Sequence, residues 1–258
     1  MPCLRSLFAI AALAVAGASP AVIAREATDS AAASAVQDVL EAEKSGLVTM
    51  RYIPNDSRSA QIIVTNRAQK PLALRLPAAF AGVPVLAQMM GMGGGGGGAG
   101  FGAGGIGGGG QAMGGGGMGG GMGGMGGGAF SIPPEKTRVL RVATVCLEYG
   151  KPEPSPRYPY KLVELETFSS DAKVAIVLEA LGRGEVSQKV AQAAAWHLSS
   201  GLAWEKLAAE KIDHAGGVPD EAYFTPAELV AAHRLVERAT QQSAARQPAE
   251  ASLSPTAQ

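Results

Sequence analysis

Cysteine is almost missing from this chain of 258 residues: there are two, Cys3 and Cys146. No CxxC pair and no HExxH exists, and His197, His214 and His233 have no ligand spacing, so no metal site is expected. Each histidine reads as a helix-surface or capping residue. There is no GxxxxGK[ST] to cradle a phosphate and no Gly-x-Ser-x-Gly elbow, so no cofactor is expected either. Net charge is zero, 22 basic against 22 acidic residues, and no basic run stands out. Nucleic acid therefore has little electrostatic reason to bind. Aromatics make up only 5% of the residues, and glycine is high because it is concentrated in one tract.

What the chain does have begins with an apolar run from Leu7 to about Ala18, preceded by Arg5 and followed by Val22-Ile23-Ala24. The run is too short to cross a bilayer, and small residues stand where a signal peptidase cuts. Residues 1–24 are therefore expected to be a secretory signal, leaving no membrane span after cleavage. The expected location is secreted or cell envelope. Cys3 leaves with the signal. Cys146 is then an odd cysteine in an oxidising compartment, which suggests intermolecular pairing, a free thiol or other chemistry.

The periodicity predicts an α+β fold. Residues 25–46 suggest a marginal N-terminal helix, with Gly46 to end it. A β unit is expected over 47–90 and 129–168. LVTMRYI and QIIVTN are β-branched runs bounded by turn residues, LALRL alternates with period two, and Pro84 makes its run an edge or irregular strand. RVLRVATVCLEYG, from Arg138, is a strand with Cys146 near its end. Short strands at this spacing suggest a small antiparallel sheet or partial sandwich. Residues 91–128 are almost all glycine, with Met92, Met113, Met118, Met122 and Met125 among the exceptions. Such a tract buries too little apolar surface to offset its ordering entropy, so it is expected to be a disordered loop. Closely spaced methionines also admit a soft-metal reading, without His or Cys to support it.

From residue 169 to 240 the period turns helical. A stripe from Asp171 to Leu181, a helix over 188–198 capped by Ser187, and a third over 203–212 are expected. A last helix starts at Thr225-Pro226-Ala227-Glu228, with a cap, a first-turn proline and a capping-box Glu. The expectation is three or four helices on the β unit, then a disordered tail over 241–258.

Two segments carry the sharper chemical signal: Val145-Cys146-Leu147-Glu148-Tyr149-Gly150 and Val190-Ala191-Gln192-Ala193-Ala194-Ala195-Trp196. Together they resemble the thioester domains of bacterial surface adhesins, in which a cysteine in a YC[IV]xxG-like strand end is bonded to the glutamine of a TQxAIW-like helix start. The resemblance spans roughly residues 139–207. It matches Cys146 to the cysteine, Gln192 to the glutamine, Ala194 to the alanine and Trp196 to the tryptophan. Val145, Ala191 and Ala195 stand where the family has an aromatic, a threonine and an isoleucine. The resemblance implies an internal Cys146–Gln192 thioester, with Trp196 and Ala194 in its pocket, that acylates an amine on a partner protein or surface.

The residues themselves are consistent with that chemistry. Gln192 and Trp196 are four apart and share one face of a helix. Two side chains held in contact gain the effective molarity that a thiol and a carboxamide need in order to react. The expected function is that of an exported, non-enzymatic surface or secreted binding protein. Two alternatives stand beside it: a structural envelope protein with an inert buried Cys146, and a secreted cysteine-dependent enzyme using a Cys146–His197 pair.

Overall fold

The longest described strand is the one that carries Cys146, and a barrel is built around it. The structure, a computed structural model, describes residues 35–85, 111–117, 128–214, 216 and 219–253. The expected signal, with Cys3, lies outside them. In chain order the described elements are β1 (Gln37–Asp38), α1 (Val39–Lys44), β2 (Val48–Pro54), β3 (Ser59–Asn66), β4 (Leu72–Arg75), β5 (Ala79–Pro84), β6 (Met113–Gly116), β7 (Ala129–Ile132), β8 (Thr137–Cys146) and β9 (Tyr160–Glu164). Then follow α2 (Leu165–Phe168), α3 (Ala172–Gly182), α4 (Gln188–Ser200), α5 (Trp204–Ala208), β10 (Lys211–Ile212), β11 (Glu221–Ala222) and α6 (Pro226–Leu253).

The α+β class is as expected, but the main sheet is neither open nor a sandwich. Six strands close into a barrel in the order β2-β3-β8-β6-β5-β9, each pair antiparallel, with Tyr52 opposite Tyr160 at the seam. Tyr52, Ile62, Val64, Phe80, Val142 and Leu162 are among the residues of its core. Strand β4 belongs instead to a side sheet, β1-β4-β7. Strand β5 is no edge: Pro84 is its last residue, and β6 and β9 flank it.

Closure depends on the glycine tract. Residues 91–128 were expected to form a loop throughout, yet Met113–Gly116 is a buried strand that bridges β5 and β8. Hydrophobic patterning is blind to such a strand, because three of its four residues are glycines with no side chains to alternate. Their absence is what the packing requires. A Cβ on Gly116 would lie 2.2 Å from the carbonyl oxygen of Leu178 and 2.7 Å from Cα of Gly182. One on Gly114 would lie 2.7 Å from Leu178 Cδ1. Helix α3 thus rests directly on the strand backbone. Residues 91–110 and 118–127 of the tract, with Met92, Met118, Met122 and Met125, lie outside the described residues.

The helices start and stop where their caps dictate. Asp171 accepts from Lys173 N at the start of α3, and Ser187 accepts from Val190 N at the start of α4. Gly201 ends α4 in the left-handed region at φ 68°, where only glycine sits without strain. Thr225 and Glu228 cap α6 reciprocally. Three expectations shift. The first helix is only Val39–Lys44 among the described residues, preceded by the short β1. The third stops at Ala208, and Lys211–Ile212 pairs with Glu221–Ala222 as a hairpin. The tail continues α6 as helix to Leu253, and Arg246 donates to both oxygens of Glu179 at 3.1 and 2.9 Å.

A second core, including Val145, Cys146, Leu147, Val177, Leu178, Ala191, Ala194 and Trp196, joins the end of β8 to α3, α4 and α6. Each fully buried Leu or Val there contributes about 1.5–3 kcal/mol of transfer free energy. The described residues belong to one compact unit. The site lies in its second core.

Candidate functional site

Strand β3 stops pairing with β8 at Ala143, while β8 continues to Cys146. The chain beyond that end of β3 still serves Thr144, whose N–H donates to Arg58 O at 2.8 Å. Two residues further on, no strand remains on that side to take the N–H and C=O of Cys146. Buried and orphaned, each would cost about 1–3 kcal/mol.

Gln192 supplies both partners. Its Oε1 accepts from Cys146 N at 2.9 Å, and its Nε2 donates to Cys146 O at 2.8 Å. The carboxamide completes the ladder as a strand would. Gln192 is fully buried, at 0% exposure. One turn earlier on α4, Gln188 Nε2 donates to Thr144 O at 3.1 Å. At the other end of the helix, Ser199 Oγ donates to Leu147 O at 2.7 Å, and Ser200 Oγ accepts from Tyr149 N at 3.1 Å. Helix α4 is thus stitched along the strand end by a row of short polar side chains.

The thiol of Cys146 is 1% exposed and donates weakly to Ser57 O at 3.8 Å. Burial, with Glu153 and Asp56 adding to it, pushes the thiol up from 9.0 to about 12. The sulfur therefore stays protonated at neutral pH. Its chemistry must rest on placement rather than on ionisation.

Trp196 lies one turn beyond Gln192. Its ring packs edge-on to Tyr149 and Phe224, with centroids 5.1 and 5.9 Å apart, and tilted against Tyr223 at 5.6 Å. Ala194 is fully buried in the same core. Cys146, Trp196, Tyr149, Tyr223, Gln111 and Glu210 line an open cleft of about 360 Å³. The Tyr149 hydroxyl donates to Glu210 Oε2 at 2.7 Å, which raises the tyrosine's pKa. Cys146 thus stands between the carboxamide in the sheet plane and a cleft that opens to solvent.

Cys146, Gln192 and Trp196 come together here, whereas Ala194, two residues on from Gln192, lies on another face of α4 within the same core. His197 does not join them. Its Nδ1 is 2.7 Å from Leu202 O, and its ring stacks on Trp204 at 4.4 Å. His214 lies near Glu221, and His233 near Glu237. No histidine hydrogen-bonds to Cys146 among the described residues, so the Cys146–His197 enzyme reading has no geometric support. Sequence reasoning missed Gln188, Ser199 and Gln111. Gln188 could have been found as a polar residue four before Gln192, on the same face of a mostly apolar helix. Gln111 lies at the edge of the glycine tract, where no pattern points to it.

Among the described residues no group of three or more His, Cys, Asp or Glu could hold a metal ion, and no helix is long and apolar enough to cross a membrane. No protein-family model, curated protein or solved structure matches the chain.

Proposed function

We propose that this is an exported, non-enzymatic surface or secreted binding protein in which Cys146 and Gln192 form an internal thioester that acylates an amine on a partner. The observation that carries the reading is the paired hydrogen bond between the Gln192 carboxamide and the backbone of Cys146. It brings the carboxamide to the very residue whose sulfur must attack it, and holds it there without further ordering cost.

The chemistry balances within these residues. Sγ of Cys146 attacks Cδ of Gln192, the S–C bond forms, the C–N bond breaks, and the thiol proton leaves with the nitrogen as ammonia. Negative charge develops on Oε1 in the tetrahedral intermediate, and Oε1 is the atom that already accepts from Cys146 N. That N–H is a pre-placed oxyanion donor. Burial of Gln192 keeps bulk water from the acyl carbon, and Trp196 shields it from the cleft side. A primary amine entering the cleft then takes the acyl group from sulfur to form an amide, and the thiol regains a proton.

Intact mass of the mature protein tests this. The thioester form is lighter than the sequence mass by one ammonia, and methylamine adds to it stoichiometrically. Full sequence mass in the native protein would remove the reading.

A structural reading is favoured by one observation: both hydrogen bonds of Gln192 go to backbone atoms, so the glutamine also satisfies a strand end that has lost its neighbour. On that reading Cys146 is an inert core residue of an envelope protein, and the same mass measurement separates the two.

A further inference from the structure

Strand β8 is joined to the barrel unevenly. On one side β3 pairs with it from Thr137 to Ala143. On the other, β6 reaches only Thr144, Val145 and Cys146. From Thr137 to Arg141 no strand pairs with that second side among the described residues. The side chains record the gap. Arg138 and Leu140 share the inward-facing parity of Val142 and Thr144, and their partners on β3, Val64 and Ile62, are fully buried. Yet Leu140 is only half-buried and Arg138 is exposed.

The open edge carries the backbone groups of alternate residues. Asn66 N–H donates to Lys136 O at 2.9 Å, and Thr144 N–H donates to Arg58 O at 2.8 Å, so the even-numbered residues of β8 address β3. In an antiparallel ladder the odd-numbered ones then point the other way. Thr137, Val139 and Arg141 thus turn their N–H and C=O groups to the unpaired side. All three residues are exposed, Val139 by 50%. An unpaired row of this kind is a template for an added strand.

The side chains select which strand. Strands β2, β3 and β8 carry Arg51, Arg138 and Arg141 and no Asp or Glu. Arg138 Nη1 donates to Ser131 O at 3.4 Å and its guanidinium lies over the Phe130 ring, which leaves other N–H groups to donate. Arg141 makes no ion pair among the described residues. Glu135, in the turn before β8, accepts from Gln69. Two copies joined edge to edge would gather these arginines without a compensating acid, so the edge does not suit a second copy. It suits a strand that brings carboxylates.

We infer that the open edge of β8 binds an extended, acid-bearing segment of a partner polypeptide as an added antiparallel strand, in line with β6. Opposite Arg141, Leu140, Val139, Arg138 and Thr137 in turn, the complementary segment reads carboxylate, aliphatic, aliphatic, carboxylate, polar. The inference is independent of the Cys146–Gln192 bond.

Hydrogen exchange of the isotopically labelled mature protein reads the edge directly. In the free protein the amides of Thr137, Val139 and Arg141 should exchange fast, and those of Arg138, Leu140 and Val142 slowly. The peptide acetyl-Ser-Glu-Val-Val-Glu-Thr-Ser-amide should bind saturably and slow the first three. N-methylation of its second valine, whose N–H faces β8, should abolish binding, as should lysine in place of each glutamate. Val139→Pro removes an edge N–H that β3 does not use and should also abolish binding. If that variant fails to fold, Arg141→Glu should weaken binding of the acidic peptide about fivefold and favour the lysine peptide instead. Slow exchange at Thr137, Val139 and Arg141 in the free protein would overturn the inference, because the edge would already be paired. So would an acidic peptide that does not bind, or equal binding by the lysine peptide or by the one methylated at its second valine.

Discussion

The Gln192 carboxamide lies in the plane of the barrel wall and pairs with both backbone groups of Cys146, at 2.9 and 2.8 Å. One side chain therefore serves a structural need and a chemical opportunity at the same residue. The two share an atom: Nε2, which donates to Cys146 O, is the nitrogen that leaves as ammonia, so only the bond from Cys146 N to Oε1 survives thioester formation.

The two unbonded variants, Gln192→Ala and Cys146→Ala, should differ in cost. Gln192→Ala orphans a buried N–H and a buried C=O and should lower stability by about 2–4 kcal/mol in urea unfolding. Cys146→Ala leaves both bonds intact and should cost about 1 kcal/mol, the central value for a point substitution. Both variants should show full sequence mass. Equal destabilisation would mean that the carboxamide is not carrying the strand end.

The glycine strand makes a second prediction. Gly116→Ala places a Cβ 2.2 Å from Leu178 O, a backbone atom that cannot step aside. Overpacking of this kind costs about 1–3 kcal/mol, and more where backbone must move. Because Met113 in the same strand pairs with Cys146, the variant should also slow thioester formation, read as a larger fraction at full mass. An unchanged melting temperature would show that α3 does not rest on β6.

How much of this was legible beforehand follows from where side chains carry a pattern. The helix caps at Ser187 and Thr225–Glu228 were readable because capping chemistry is local. The juxtaposition of Cys146, Gln192 and Trp196 was readable from two short motifs. Barrel closure was not, because Gly114, Gly115 and Gly116 present no side chains and act through what they lack. The helical continuation past Thr240 was missed for the opposite reason. Its polar sequence reads as solvated, and its anchor is a distant residue, Glu179, with which Arg246 pairs.

That anchor gives a third prediction. The Arg246 guanidinium holds the Glu179 carboxyl below its ordinary 4.5. A depressed carboxylate stabilises the fold above its unfolded pKa and loses that contribution as pH falls through its folded value. Truncation after Thr240 should lower the melting temperature at neutral pH. The gap between full-length and truncated protein should narrow as pH falls below 4.5. A gap independent of pH would assign the effect to packing alone.

The thiol predicts the reverse slope at alkaline pH. Its pKa is raised by burial from 9.0 to about 12, so the protonated form favours the fold. That contribution is complete below pH 9 and is lost between 9 and about 12, as the unfolded thiol ionises first. In the Gln192→Ala background, where the sulfur is unbonded, stability should fall faster above pH 9 than in the Cys146→Ala/Gln192→Ala double variant. Iodoacetamide should alkylate the native single variant far more slowly than the unfolded one. Parallel pH curves would place Cys146 in a more solvated site than its 1% exposure implies.

The central claim is tested most directly by the intact mass of the mature protein, before and after methylamine. The account predicts a mass one ammonia below that of the sequence, a stoichiometric methylamine adduct, and loss of both in Cys146→Ala. A native protein at full sequence mass, with a thiol that alkylates completely once unfolded, would contradict it.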